Sequence, residues 1–244
     1  MTGVPGEPEH FYFGAVDGGV WESKNAGRTW NPIFDSVSDG SVGAIAVAPS
    51  NTKTLYVGTG EADMRSDIAY GHGMYKSADG GATWTHIGLE DTRQIGKVLV
   101  DPRNANVVYV AALGHQYAPN AARGVFKTTD GGASWQKVLF KNDDTGAIDL
   151  SMDLQHPDTV YASLWQTRRP PWNTYPPSNG PGSGLYKTTD GGATWKQLTN
   201  GLPAKLGHIG IAVSPANGSR VYAQVDTGSD IAAGGVYRSD DGGA

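Results

Sequence analysis

Short runs of apolar residues, several of them alternating with polar ones, recur along the chain in a fixed order and predict β-strands rather than helices. A first strand is predicted at Ala44–Val47, Lys97–Val100, Ala147–Leu150 and Ile209–Val213. A second strand is predicted at Leu55–Gly58, Val108–Ala111, Val160–Ala162 and Val221–Ala223. A third strand is predicted at Gly73–Lys76, Gly124–Lys127, Gly184–Lys187 and Gly235–Arg238. A fourth strand follows each third strand, as at Thr83–Ile87.

The third and fourth strands are joined by a repeated segment, which we call the Asp-Gly-Gly turn. Its copies are Ser77–Trp84, Thr128–Trp135 and Thr188–Trp195, with a weaker copy at Ser23–Trp30 and the beginning of a fifth at Ser239–Ala244. Glycines accept positive φ without steric cost, and an Asp side chain accepts hydrogen bonds from the amides of its own turn. Each Trp then opens the next strand and supplies a large apolar face. We therefore expect these Asp and Trp residues to hold the fold and to lie outside any site.

Four short antiparallel strands in a repeat of about 50 residues are typical of a β-propeller blade. The sequence predicts an all-β propeller domain over residues 1–244, with about five four-stranded blades near residues 10–34, 42–88, 95–140, 146–199 and 207–244. The first blade has no predicted innermost strand before Phe11, and the last has no fourth strand. Because two open edges are unusual in a closed ring, we expect a fragment of a larger propeller, with the remaining blades of the parent protein as partners.

The Asp-Gly-Gly turns and their Gly-Val-Tyr-Lys lead-in resemble the Asp-box, or bacterial neuraminidase repeat (BNR). The chain from Phe11 to Ala244 resembles the large secreted bacterial BNR-repeat, or sortilin-like, proteins that carry the name glycosyl hydrolase. The resemblance implies the propeller fold and a secreted or periplasmic location. It leaves function open, because Asp-box propellers include sialidases, xyloglucanases, sortilin-type receptors and photosystem-assembly factors.

Composition excludes several classes of function. The formal net charge of −5 does not favour binding to nucleic acid. The absence of Cys excludes disulfides and thiolate chemistry. No apolar run is long enough for membrane insertion, and Met1–Pro8 lacks the basic and apolar regions of a signal peptide. No zinc-ligand spacing is visible, so no metal or other cofactor is predicted.

The long insertions all fall between second and third strands, and the strand order places them on the face opposite the Asp-Gly-Gly turns. They span residues 59–72, 113–123, 164–183 and 226–234. Variable loops on a rigid scaffold are where binding residues concentrate. The loops between blades add Glu90, Asp91, Arg93, Asp143 and Asp144 to the same face. We therefore predict the ligand site on this face.

Candidate residues come mainly from the first and third insertions. The first insertion groups Glu61, Asp63, Arg65, Asp67 and His72. These residues fit a polar site, either a carboxylate pair for acid–base chemistry or oxygen ligands for Ca²⁺, or else a salt-bridged loop that orders itself. The third combines Trp165, Arg168, Arg169 and Trp172, which fit an acidic sugar or a peptide carboxylate, or else a small loop core with solvated arginines. The remaining candidate ligand-binding residues are Arg93, His115 and Arg123.

Three functions stay open at this point. The first is a module that binds a glycan or peptide on its loop face. The second is part of a xyloglucanase-like inverting glycoside hydrolase, for which Asp63 and Asp91 are the candidate catalytic carboxylates. The third is a protein-interaction or assembly-factor propeller. Sialidase activity is not expected, because the Arg-Ile-Pro motif of that family is absent.

Overall fold

The structure of the protein is a computed structural model that describes residues 1–63, 65, 67–169, 179–228 and 230–244. Nineteen strands and two 3₁₀ helices, Glu90–Thr92 and Ile231–Ala233, are assigned within this part of the chain. The residues group into two compact units, Met1–Val110 with Lys127–Gln136 and Ala111–Phe126 with Lys137–Ala244.

The strands form five antiparallel sheets in which neighbours in sequence are neighbours in the sheet. The first sheet contains β1 (Thr2–Val4), β2 (Glu7–Ala15), β3 (Gly19–Ser23) and β4 (Asn31–Pro32). The second contains β5 (Val42–Val47), β6 (Leu55–Thr59), β7 (Met74–Ser77) and β8 (Thr85–His86). The third contains β9 (Ile95–Val100), β10 (Val108–Ala112), β11 (Gly124–Thr128) and β12 (Gln136–Leu139).

The fourth and fifth sheets lie in the second unit. The fourth contains β13 (Thr145–Met152), β14 (Val160–Gln166), β15 (Gly184–Thr188) and β16 (Lys196–Leu198). The fifth has three strands, β17 (Ile209–Ser214), β18 (Asn217–Val225) and β19 (Gly235–Ser239). The predicted up-and-down strand order is confirmed.

The prediction that the first sheet lacks its innermost strand is wrong. Thr2 pairs with Tyr12 and Gly3 with Phe11, so β1 completes a four-stranded sheet. The chain reverses at Gly6, whose φ of +83° suits glycine. The strand escaped sequence reasoning because three residues next to a Pro-Gly turn are too few to show an alternating pattern.

The cores lie between adjacent sheets of each unit. In the first unit, strands of the first two sheets bury the side chains Val4, Tyr12, Val20, Phe34, Val42, Val47, Leu55 and Val57. In the second unit, the fourth and fifth sheets bury the side chains Tyr161, Leu185, Leu198, Leu206, Ile209, Ile211, Val213, Val221, Ala223 and Val225. Full burial of each aliphatic side chain contributes about 1.5–3 kcal/mol to the free energy of folding. Each sheet is therefore stabilised by packing against the neighbouring sheet of its unit.

Candidate ligand-binding loops

The Asp-Gly-Gly turns form the hydrogen bonds that the sequence predicts. Asp79 Oδ1 accepts from the Thr83 amide at 2.9 Å and from the Ser77 hydroxyl at 2.7 Å. The Ser77 hydroxyl oxygen in turn accepts from the Gly81 amide at 2.8 Å. Asp130 and Asp190 make the same set of bonds in the next two turns.

These bonds favour the charged form of each Asp. The hydroxyl of Thr83, followed by its amide, lowers the pKa of Asp79 to about 2, and Thr194 lowers the pKa of Asp190 to about 2. The pKa of Asp130 is also lowered, chiefly by the Ser134 hydroxyl. Each carboxylate is occupied by its own turn, which supports the predicted structural role.

In the first unit, Glu61 orders the loop that follows β6. Its side chain is 3% exposed and accepts from Arg65 Nε and from the Ala69 amide at 3.2 Å. The Glu61 amide donates back to the Ala69 carbonyl at 2.9 Å. Glu61 is therefore a buried loop brace rather than an exposed ligand contact, and Arg65 serves as its ion-pair partner. This is the self-ordered loop that the sequence left as an alternative.

A buried carboxylate that sequence reasoning missed holds the far end of the same loop. Asp39 is 5% exposed, and its Oδ2 accepts from the His72 amide at 2.7 Å. His72 Nδ1 lies 3.3 Å from the same oxygen, while 60% of the His72 side chain stays exposed. The sequence shows only an Asp39-Gly40 turn signal there. Asp39 orients His72 and leaves its ring accessible.

Tyr70 and Arg93 form an exposed pair, which we call the Tyr70–Arg93 platform. The Arg93 guanidinium carbon lies 5.9 Å from the centroid of the Tyr70 ring, and Tyr70 is 43% exposed. The Gly71 amide donates to the Arg93 carbonyl at 2.8 Å, which fixes the two loops together. A β-carbon on Gly60 would lie 1.8 Å from that carbonyl oxygen, so the close approach requires glycine. The platform joins an apolar ring face to a cationic donor.

The candidate catalytic carboxylates lie at the surface of the first unit. Asp63 and Asp91 are exposed, and neither has a hydrogen bond or an ion pair within the part of the chain that the structure describes. Across the described residues, no group of three or more His, Asp or Glu side chains is arranged to hold a metal ion.

In the second unit, Arg123 is an interior brace, which corrects its prediction as a ligand contact. It is fully buried, and its guanidinium donates to the carbonyls of Leu113 at 3.0 Å, Thr167 at 3.1 Å and His115 at 2.8 Å. Burial lowers the pKa of Arg123 to about 10, so the group remains charged at neutral pH. The sequence alone does not predict that one Arg donates to three carbonyls from two different loops.

Trp165 and Arg169 are also buried. For Trp165 this agrees with the small loop core that the sequence left as an alternative to a ligand contact. Trp165 is 7% exposed and its ring packs edge-on against His208 with centroids 5.2 Å apart. Arg169 is 6% exposed and its amide donates to the Gln116 carbonyl at 2.8 Å. Trp172 lies outside the described residues.

The polar residues that stay accessible in the second unit are Arg168 and His115. Arg168 Nη1 lies 3.8 Å from Asp144 Oδ1, and both side chains are nearly half exposed. His115 is half-buried, and its Nδ1 accepts from the Tyr117 amide at 3.1 Å. The loop after β14 therefore contacts the loop before β13 through Arg168 and Asp144.

Comparison with known proteins identifies relatives of the chain. The model of the Sortilin-Vps10 family, described as sortilin and neurotensin receptor 3, matches residues 72–204, which is more than half of the chain. A xyloglucanase from Acetivibrio thermocellus is 26% identical over 91% of this chain and 27% of its own length. A xyloglucanase from Hypocrea jecorina is 26% identical over 88% of this chain and 28% of its own length. The chain thus spans about a quarter of the length of these curated relatives.

A solved structure confirms the fold class. The crystal structure of an ancestral GH74 enzyme superimposes with a TM-score of 0.69 at 22% identity, covering 91% of this chain and 28% of that chain. This likeness confirms the predicted β-propeller fold. Among the described residues, no helix has the length and apolar character needed to cross a membrane.

Proposed function

The chain belongs to the Sortilin-Vps10 family, and on this basis we propose that it is an exported propeller segment of glycoside hydrolase type that binds a polysaccharide through its loop face. Its curated relatives are xyloglucanases, so xyloglucan is the first ligand to consider. The sequence left two ligand classes open, a glycan and a peptide, and this proposal favours the glycan. Peptide binding remains the second candidate, since the matching family model is described as a receptor.

The Tyr70–Arg93 platform is the observation that supports this proposal. Sugar rings offer flat patches of C–H groups that can pack on an aromatic face, and Tyr70 presents such a face to solvent. Arg93 supplies donors for sugar hydroxyls beside it. His72, held by Asp39, adds a ring that can donate or accept a hydrogen bond.

The loops that carry the platform are fixed before any ligand arrives. The Gly71 amide is bonded to Arg93, and the Gly60 amide donates to the Ser41 carbonyl at 2.9 Å. A pre-organised site loses less conformational entropy when it binds, which favours affinity for a ligand with few charged groups.

Hydrolysis would need two carboxyl groups about 6.5–9.5 Å apart with water between them. We keep Asp63 and Asp91 as the proposed carboxylates of this segment. Arg168 and His115 stay candidate ligand contacts of the second unit, taken by itself.

Affinity electrophoresis in gels that contain xyloglucan tests binding directly. We expect the wild-type chain to be retarded by xyloglucan, and Tyr70→Ala and Arg93→Ala to be retarded much less. Tyr222→Ala is the matched control, because Tyr222 is a partly exposed tyrosine on β18 and belongs to neither of these loops. Equal retardation of all variants, or retardation only by an immobilised peptide library, would contradict the proposal.

A reducing-sugar assay separates binding from catalysis. If the segment also cleaves the polymer, Asp63→Asn or Asp91→Asn should abolish product release while leaving retardation in the gel unchanged. Product release that survives in both variants would remove these two residues from the proposed chemistry.

A further inference from the structure

The backbone of His72 is held on both sides. Its amide donates to Asp39 Oδ2 at 2.7 Å and to the Thr59 hydroxyl oxygen at 2.9 Å. Its carbonyl accepts from His86 Nε2 at 2.7 Å. A β-carbon on the neighbouring Gly71 would lie 2.2 Å from the Thr59 carbonyl carbon, so the loop is packed tightly here. Because the backbone is fixed, the state of the His72 ring depends on the contacts of its own side chain.

The contact with Asp39 determines which nitrogen of the His72 ring carries the proton. His72 Nδ1 lies 3.3 Å from Asp39 Oδ2, and the Asp39 side chain is only 4% exposed. A carboxylate offers acceptor oxygens alone, so the proton between the two atoms belongs to Nδ1. In the neutral ring Nε2 is then left as a hydrogen-bond acceptor. No described residue bonds to Nε2, and the His72 side chain is 60% exposed, so a ligand can reach the ring.

The loops at residues 59–72 and 88–94, which carry His72 and the Tyr70–Arg93 platform, have more acidic than basic side chains. Their exposed carboxylates are Asp63, Asp67, Glu90 and Asp91. Their basic residues are Arg65 and Arg93, and the charge of Arg65 is already paired with the buried Glu61. An anionic ligand therefore meets repulsion from these loops, whereas a neutral ligand does not.

We propose that Asp39 is a positioning residue that holds His72 in the Nδ1–H form, so that Nε2 accepts a hydrogen bond from a hydroxyl group of a neutral sugar, a role that rests on the function proposed above. At neutral pH, carboxylate and sulfate groups accept hydrogen bonds and cannot donate them. An acidic polysaccharide therefore gains no bond from Nε2 and is repelled by the surrounding carboxylates. The Asp39–His72 pair thus selects neutral glycans over acidic ones.

A second Asp–His pair in the chain provides the matched control. In the second unit, His156 Nδ1 lies 3.0 Å from Asp153 Oδ2, with the His156 side chain 76% exposed and the Asp153 side chain 7% exposed. The His156 amide donates to the Asp153 carbonyl at 3.1 Å. This pair closes the turn between β13 and β14 and belongs to none of the insertions. It shares the ring geometry of His72 and lacks the proposed role.

Nitrogen-15 NMR of the histidine rings of the full chain tests the position of the proton without any ligand. At about pH 8, where an imidazole is neutral, we expect His72 to show a protonated Nδ1 and an unprotonated Nε2, as His156 should. Asp39→Ala should shift His72 to a mixture of the two tautomers and leave His156 unchanged. Asp39→Asn keeps an acceptor oxygen and should retain the Nδ1–H form. A protonated Nε2 on His72 in the wild-type chain would overturn the proposal, whichever ligand binds.

Affinity electrophoresis in gels that contain xyloglucan or polygalacturonate tests the selection. We expect the neutral xyloglucan to retard the wild-type chain and the acidic polygalacturonate not to retard it. His72→Ala should weaken the affinity for xyloglucan about threefold to tenfold, as expected for one lost hydrogen bond, and His156→Ala should leave it unchanged. Equal retardation in the two gels, or equal effects of the two variants, would overturn the proposal. If xyloglucan does not retard the wild-type chain although His72 is in the Nδ1–H form, the proposed function and the ligand assigned here are overturned, and the effect of Asp39 on the ring is not.

Discussion

The indole Nε1 of Trp135 donates to the carbonyl oxygen of Ile87 at 2.7 Å, which ties the turn of the third sheet to the end of the second. Trp84 makes the same bond to Ile33 one repeat earlier. Lys76 Nζ donates in the opposite direction, to the Gly131 carbonyl at 3.2 Å. Within the first unit the repeat sequence therefore encodes the contact between neighbouring sheets as well as the turn itself.

Trp135→Phe should destabilise the protein by about 1 kcal/mol beyond the packing loss, because the Ile87 carbonyl loses its donor. Trp195→Phe is the matched control: the Trp195 Nε1 is buried and has no partner among the described residues. Trp195→Phe should therefore lower the free energy of unfolding by less than Trp135→Phe does, or not at all. Urea denaturation of both variants measures the difference, and equal losses would show that the indole bond contributes nothing.

The Asp-Gly-Gly turns should make stability depend on acidic pH. The pKa of Asp79 is lowered from 3.8 to about 2 in the folded protein, so the folded state binds fewer protons than the unfolded state in this window. The contribution is fully present above about pH 4 and is lost as the pH falls toward 2. Denaturation of the wild type and of Asp79→Asn between pH 5 and 2 should show a shallower decline for the variant. Parallel curves would contradict this assignment.

Arg123→Met should destabilise the protein by about 3 kcal/mol or more, because three carbonyls, two of them in buried hydrogen bonds, lose their donor. Arg168→Met should change the free energy of unfolding by less than about 0.5 kcal/mol, since its ion pair with Asp144 is exposed and long. Chemical denaturation compares the two. A small loss for Arg123→Met would mean that Arg123 is not the brace described above.

Gly60→Ala and Gly80→Ala separate backbone strain from steric conflict. Both glycines have positive φ, +87° and +78°, so each substitution costs about 1–2 kcal/mol. A β-carbon meets nothing within 4 Å at Gly80 but meets the Arg93 carbonyl at Gly60. Gly60→Ala should therefore cost about 1–3 kcal/mol more and should also weaken polysaccharide binding. Equal melting temperatures of the two variants would rule out the close approach of the loops.

The parts of the fold that sequence predicts are those that local chemistry determines. Asp79 bonds its own turn, and the alternating residues of β5 and β6 specify strands, because these interactions span only a few residues. β1 escaped prediction because Thr2–Val4 is too short for a periodic signal.

The candidate site was predicted less well, because burial in a loop depends on distant partners. Arg123, Trp165 and Arg169 look like ligand contacts in sequence, yet carbonyls and rings from other loops enclose them. Asp39 was missed for the same reason, since its partner His72 lies 33 residues further along the chain. Composition suggests which residue types can bind, and only the packing of the loops decides which remain accessible.

Hydrogen–deuterium exchange in the presence and absence of xyloglucan tests the central proposal most directly. We predict slower exchange in Ala69–Gly73 and Gly88–Gln94, which carry the Tyr70–Arg93 platform, and no change in the Asp-Gly-Gly turn at Asp79–Trp84. Unchanged exchange in both loops at saturating polysaccharide, or protection confined to the turn, would contradict the account.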